Sequence, residues 1–139
     1  AASAQKWLEI VRHRSIEACY AALHEDGFAI YATAIHQRAS DLYTLDLTRP
    51  TALVFGNEMR GCSAEAVEQA DGAVVIPMMG MVQSLNISVA CAVTLYEALR
   101  QRRVAGAYES PKLPESVRYE TLDYWLTRDR RAPLSEQPQ

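Results

Sequence analysis

A parallel α/β sheet is the architecture this sequence predicts, on three observations. Apolar runs of strand length alternate with segments of helical spacing, the order expected of parallel strands with crossover helices. The run Thr51-Ala52-Leu53-Val54-Phe55 is nearly unbroken in its apolar character, which suits a strand covered on both faces. Turn-forming residues punctuate the runs, at Gly27, at Gly56 to Cys62 and at Asp71-Gly72.

In chain order, Trp7-Leu8-Glu9-Ile10-Val11 reads as a first strand of apolar periodicity. Ser15 caps a helix that runs to Asp26 and stops at Gly27, with Ile16, Cys19, Tyr20 and Leu23 on one face. Phe28 to Ala32 is a second strand, ending at Thr33, and His36 to Ser40 a polar loop. The stretch Asp41 to Arg49 is ambiguous, with Leu42, Leu45 and Leu47 as its anchors. Pro50 introduces the strand Thr51–Phe55. Ser63 caps a short helix to Ala70, and Ala73 to Ile76 is the fourth strand.

The stretch that organises the rest is Ile76-Pro77-Met78-Met79-Gly80-Met81-Val82-Gln83-Ser84-Leu85-Asn86-Ile87-Ser88-Val89-Ala90. It joins a buried strand to a long helix, and open α/β sheets place ligands at such strand-end loops. The free N–H groups opening that helix face the same region. Ser84, Asn86 and Ser88 are helix-capping residues, and Asn also carries donors and an acceptor able to hold a hydroxyl. The helix Asn86 to Arg103 is apolar on more than one face, so the sheet covers one side and a second subunit is the simplest cover for the other.

Composition bounds the function. The 139 residues fit one domain, and 49% hydrophobic with 22% charged residues argues for a folded rather than a disordered chain. No apolar run reaches the length of a membrane span, and no export leader is visible. Cys19, Cys62 and Cys91 are scattered and odd in number, with neither a metal-ligand spacing nor a disulfide framework, as free thiols in a reducing cytoplasm would be. Net charge is −3, so any affinity for nucleic acid must come from a local basic patch. Arg60, Arg100, Arg102, Arg103, Arg128, Arg130 and Arg131 are candidates for phosphate contact, though solvated charge is the commoner role. His13, His24 and His36 have no evident partners and read as solvated surface. No Ser-His-Asp set and no metal cluster can be assembled. Gly56-Asn57-Glu58-Met59-Arg60-Gly61 is neither a phosphate loop nor a dinucleotide fingerprint.

Two of these stretches also carry a resemblance. Ile76–Ala90 resembles the third motif, and Phe55–Gly61 the second, of the SpoU/TrmH class of RNA ribose 2′-O-methyltransferases of the SPOUT superfamily, in the family's order. The match reads from about Trp7 to Tyr108 and is most similar to the tRNA guanosine enzymes of the class. The resemblance implies a parallel sheet with helices on both faces and a deep trefoil knot. It implies a methyltransferase domain over residues 1–108; the extension after it, 109–139, carries Pro111, Pro114, Pro133 and Pro138 and reads as partly helical, over Tyr119 to Leu126, or loose. It implies S-adenosylmethionine as cofactor, a tRNA or rRNA substrate, a cytoplasmic homodimer, and neither membrane nor metal. Catalytic-site roles are implied for Glu58, Ser84 and Asn86, and backbone contacts to the cofactor adenosine for Thr33, Gly56, Ile76, Met78 and Leu85. The family's first motif, an Asn followed by Arg-Thr, has no match here, since Arg12 and Arg14 stand in another context. That departure leaves open the alternative of a catalytically silent cofactor- or RNA-binding homologue or fragment.

Overall fold

The structure is a computed structural model that describes residues 7–35, 39–57, 60–80 and 85–130, and within the last helix the side chains to residue 127. The chain divides into two compact units. His13–Tyr108 forms one, and Ala1–Arg12 with Glu109–Gln139 the other.

The larger unit is built on four parallel strands: β1 (Ala29–Thr33), β2 (Ser40–Asp41), β3 (Thr51–Val54) and β4 (Gly72–Val75), in the spatial order β2-β4-β1-β3. The register pairs Tyr31 with Leu53 on one side and with Gly72 on the other, and Thr33 with Val74. A Cβ on Gly72 would come within 3.0 Å of the Tyr31 ring, so the ring lies over a position kept bare for it. Its helices follow the sequence pattern: α1 (Ile16–Glu25), α2 (Ala64–Gln69) and α3 (Ile87–Val104); the smaller unit carries α4 (Glu115–Arg130). Ser15 and Ser63 cap α1 and α2 by accepting the N–H of Ala18 and of Ala66. At the end of α1, Gly27 adopts φ 79°, and the N–H of Phe28 reaches back to the Leu23 carbonyl while that of Gly27 reaches His24. This left-handed closure satisfies two carbonyls that the helix leaves orphaned and turns the chain straight into β1.

Period-2 alternation sorts the strand residues between two faces. Val74 joins Leu42 and Leu47 in the buried core, with Tyr31 and Leu53 from the sheet and Val93 and Ala98 from α3 packed against it. Ile30 and Ala32, fully buried on the opposite face, are covered by α1 and α2, which both touch β1. The two helices are tied by the Tyr20 hydroxyl, which donates to the Ala66 carbonyl at 2.9 Å.

The ambiguous stretch 41–49 proves to be the two-residue β2, a 3-10 turn over Leu42–Thr44 and an irregular run. Side chains of α3 satisfy that run's backbone. The Leu47 N–H donates to Gln101 Oε1 at 2.8 Å, Gln101 Nε2 donates to the Leu45 carbonyl at 2.9 Å, and Arg102 Nε donates to the Leu47 carbonyl at 2.9 Å. Glu97, buried on α3, accepts two N–H groups from Arg100 and one from Gln101, which completes the network. Arg100 and Arg102 thus each make structural bonds in this network.

Two expectations are corrected. Residues Leu8 to Val11 form no strand. Leu8, Ile10 and Val11 are about 60% exposed, and no sheet edge pairs with them. Instead Trp7 meets Trp125 of α4 edge to face, with ring centroids 5.3 Å apart. Apolar alternation alone is not enough where no neighbouring strand supplies ladder partners. His24 is also not unpartnered: its Nε2 lies 2.9 Å from the carboxylate of Asp71, which also accepts the Ile30 N–H at 2.7 Å. His36 lies outside the described residues, as do residues 131–139.

Candidate functional site

Because β1 lies between β4 and β3, the loops leaving the C-terminal ends of these three strands start side by side. The last residue of β1, Thr33, donates its hydroxyl to the Val54 carbonyl at the end of β3, at 2.9 Å. One residue on, the Ala34 N–H donates to the Val74 carbonyl of β4 at 3.1 Å. These bonds hold the three strand ends together across the sheet. Thr33, Gly56 and Ile76, picked out in the sequence, are thus brought to one edge.

The loop after β3 is a small hairpin. The Asn57 N–H donates to the Gly61 carbonyl at 2.9 Å, and the Gly61 N–H donates back to the Asn57 carbonyl at 2.7 Å. Gly61 makes the return with φ 68°. Gly56 stands where the returning arm crosses. A Cβ there would fall 1.8 Å from the Gly61 carbonyl carbon and 2.0 Å from the Cys62 nitrogen, so only glycine fits. Glu58, like Ser84, lies outside the described residues.

After β4, Ile76, Pro77 and Met78 are half-buried, whereas Met79 is almost fully exposed. Gly80 takes φ 104°, which redirects the chain. Leu85 is half-buried and leads into Asn86, the N-cap of α3, whose Oδ1 accepts the Ser88 N–H at 2.9 Å. Asn86 thus caps the helix in fact, and its amide NH2 group has no partner among the described residues. The exposed Asn86 side chain can donate two N–H bonds outward from the start of an 18-residue helix. Half-buried Ile76 and Met78 offer apolar walls, and the strand-end backbone offers N–H and carbonyl groups. That donor set suits a flat, polar-edged group such as an adenine, and so fits S-adenosylmethionine.

Sequence reasoning passed over Cys62. Its thiol donates to the same Val54 carbonyl at 3.5 Å. No local pattern marks it, because its partners are Val54 and Thr33 across the turn. Among the described residues no group of His, Cys, Asp or Glu is arranged to hold a metal ion, and no helix is long and apolar enough to cross a membrane.

A family model, the SpoU rRNA Methylase family, matches residues 1–96. The chain belongs to this SpoU family. Its relatives include the tRNA (guanosine(18)-2'-O)-methyltransferases of Thermus thermophilus and Escherichia coli. The first is 47% identical over 123 residues, covering 88% of the chain and 63% of that protein. The second is 44% identical over 124 residues, covering 88% and 54%. Among solved structures, the Aquifex aeolicus TrmH/SpoU tRNA modifying enzyme superposes with a TM-score of 0.84 at 41% identity, covering 92% of this chain and 65% of that one. A more distant SpoU methyltransferase, AviRb from Streptomyces viridochromogenes, was crystallised with AdoMet. It matches with a TM-score of 0.56 at 35% identity over 64% of this chain and 36% of its own. This SpoU chain spans roughly three fifths of the length of the curated relatives it matches.

Proposed function

We propose that the chain is the cofactor-binding part of an S-adenosylmethionine-dependent RNA methyltransferase that acts on a ribose 2′-hydroxyl, with a tRNA guanosine as its substrate. The observation that carries the reading is the convergence of the second- and third-motif loops at the shared ends of β1, β3 and β4 in a SpoU family chain. The cofactor, when bound, supplies an activated methyl carbon. The chain's own residues bind and orient. Thr33, Gly56, Ile76, Met78 and Leu85 line the strand-end shelf, with backbone groups holding the adenosine. Asn86 directs its amide toward the ribose hydroxyl, and Glu58 and Ser84 complete the catalytic site. The attacking hydroxyl is a weak acid that must shed its proton near the transition state, and alignment is what the site contributes most.

The same reading makes the protein a cytoplasmic homodimer joined through α3, with the segment after β4 passing through an earlier loop as a trefoil knot. It also makes residues 1–108 the methyltransferase domain, with the compact unit His13–Tyr108 as its larger part. Val89, Leu95, Tyr96 and Leu99 on α3 support the dimer, since all four are apolar and exposed. Calorimetry with S-adenosylhomocysteine on the purified full-length protein tests the site, beside transfer of tritiated methyl to unmodified tRNA. Binding is expected. Its absence at millimolar ligand, about −4 kcal/mol or weaker, would overturn the assignment.

A further inference from the structure

Val54 ends β3, and its carbonyl collects two side chains from different parts of the chain. The Thr33 hydroxyl of β1 donates to it at 2.9 Å and the Cys62 thiol at 3.5 Å. The two donor atoms lie 3.9 Å apart, so hydroxyl, thiol and carbonyl form a closed triangle. A carbonyl oxygen has two lone pairs and can accept both hydrogens. Cys62 directly follows Gly61, the residue that closes the 57–61 hairpin. A bond from Cys62 to the end of β3 therefore fixes the returning arm, whose backbone already fills the space beside Gly56. Neither Cys62 nor the Thr33 side chain has a part in the carried-over roles, which give Thr33 only a backbone contact.

We propose that Cys62 is a positioning residue. Together with the Thr33 hydroxyl it staples the Gly56–Gly61 hairpin to the joined ends of β1 and β3. The staple holds the returning arm at Gly61 and Cys62 against Gly56 on the cofactor shelf, at the spacing that an adenosyl ligand needs. The inference rests on the reading of this edge as the S-adenosylmethionine site. Cysteine suits the position because a half-buried thiol packs as a small apolar group and still offers a weak donor.

The test uses the full-length protein as wild type, Cys62→Ala, Thr33→Val, the double variant and Cys62→Ser. Three readouts are taken: S-adenosylhomocysteine affinity by calorimetry, thermal melting, and the split of KM for S-adenosylmethionine against kcat. Each single variant keeps the other side-chain donor at the carbonyl, so each is expected to weaken ligand binding only a few-fold. The double variant removes both side-chain donors at once and leaves only the strand ladder at that carbonyl, and its loss should exceed the product of the single losses. Cys62→Ser keeps an O–H donor and should bind closer to wild type than Cys62→Ala does. A packing role alone would lower the melting temperature while leaving ligand affinity untouched, and that result overturns the proposal. So do single losses that simply multiply in the double variant. If the wild-type protein itself binds no S-adenosylhomocysteine, it is the functional reading that fails and this inference with it.

Discussion

Gly56→Ala puts the geometry of the candidate site to a direct test. The added carbon would sit 1.8 Å from the Gly61 carbonyl carbon, and reaching the 3.4 Å of ordinary contact requires the returning arm to retreat by about 1.6 Å. The atoms in the way are backbone, so no side chain can swing aside. A shift of that size breaks the two reciprocal bonds between Asn57 and Gly61, now 2.9 and 2.7 Å long. At a net contribution of about 1 kcal/mol each, the loss is roughly 2 kcal/mol of stability. For a domain of this size that corresponds to a fall in Tm of roughly 8 °C. The functional loss should be larger. Displacing catalytic groups by an ångström costs on the order of a hundredfold in rate. Gly27→Ala is the matched control. Gly27 also has positive φ, 79°, but no atom lies within 4 Å of its missing Cβ, and it precedes β1 at the far end of the sheet. It should cost about 1–2 kcal/mol of backbone strain and leave ligand binding intact. Differential scanning fluorimetry and S-adenosylhomocysteine titration on both variants decide the matter. Wild-type ligand affinity in Gly56→Ala, or an equal loss in Gly27→Ala, would refute the reasoning.

Three further outcomes are expected. Asn86→Ala should lose about 1 kcal/mol of capping stability, yet lose roughly 3 kcal/mol of transition-state stabilisation, about a hundredfold in methyl transfer; a variant that melts lower but methylates at the wild-type rate makes Asn86 a cap alone. Tyr96 is 72% exposed on α3, so Tyr96→Glu should turn a dimer into monomers with little change in the fold of the subunit; light scattering that finds the unmodified protein monomeric at micromolar concentration rules the interface out. Arg100, and next Gln101, hold the Glu97 carboxyl down from its ordinary 4.5 to about 2. The folded state therefore gains stability that is fully present above pH 4.5 and is lost as pH falls toward 2. Asp71 acts in the same direction, because the Ile30 N–H and then His24 lower its pKa below 3.8. Acid titration followed by circular dichroism should show Glu97→Gln less stable at neutral pH but with a shallower acid limb, and an unchanged limb would contradict this.

Much of the candidate site was legible in the sequence because its parts are local. The capping serines Ser15 and Ser63, the closure at Gly27 and the N-cap Asn86 each act on neighbours within a few residues, and each stands where local rules put it. The pair of motif loops was legible as a resemblance, and the family match over residues 1–96 bears that out. The Trp7–Val11 strand was misread because its pattern is local but its existence depends on a partner strand that the sheet does not supply.

Local pattern determined which stretches are strands and helices, since hydrogen bonding to near neighbours and the spacing of apolar residues are written in consecutive positions. Tertiary structure alone decided the order β2-β4-β1-β3, and with it which loops meet. It alone brought Cys62 and Thr33 to one carbonyl, His24 to Asp71, and Gln101 to the backbone of Leu45 and Leu47. Those pairs lie up to 56 residues apart, and their energy depends on distances that exist only after the chain has closed on itself.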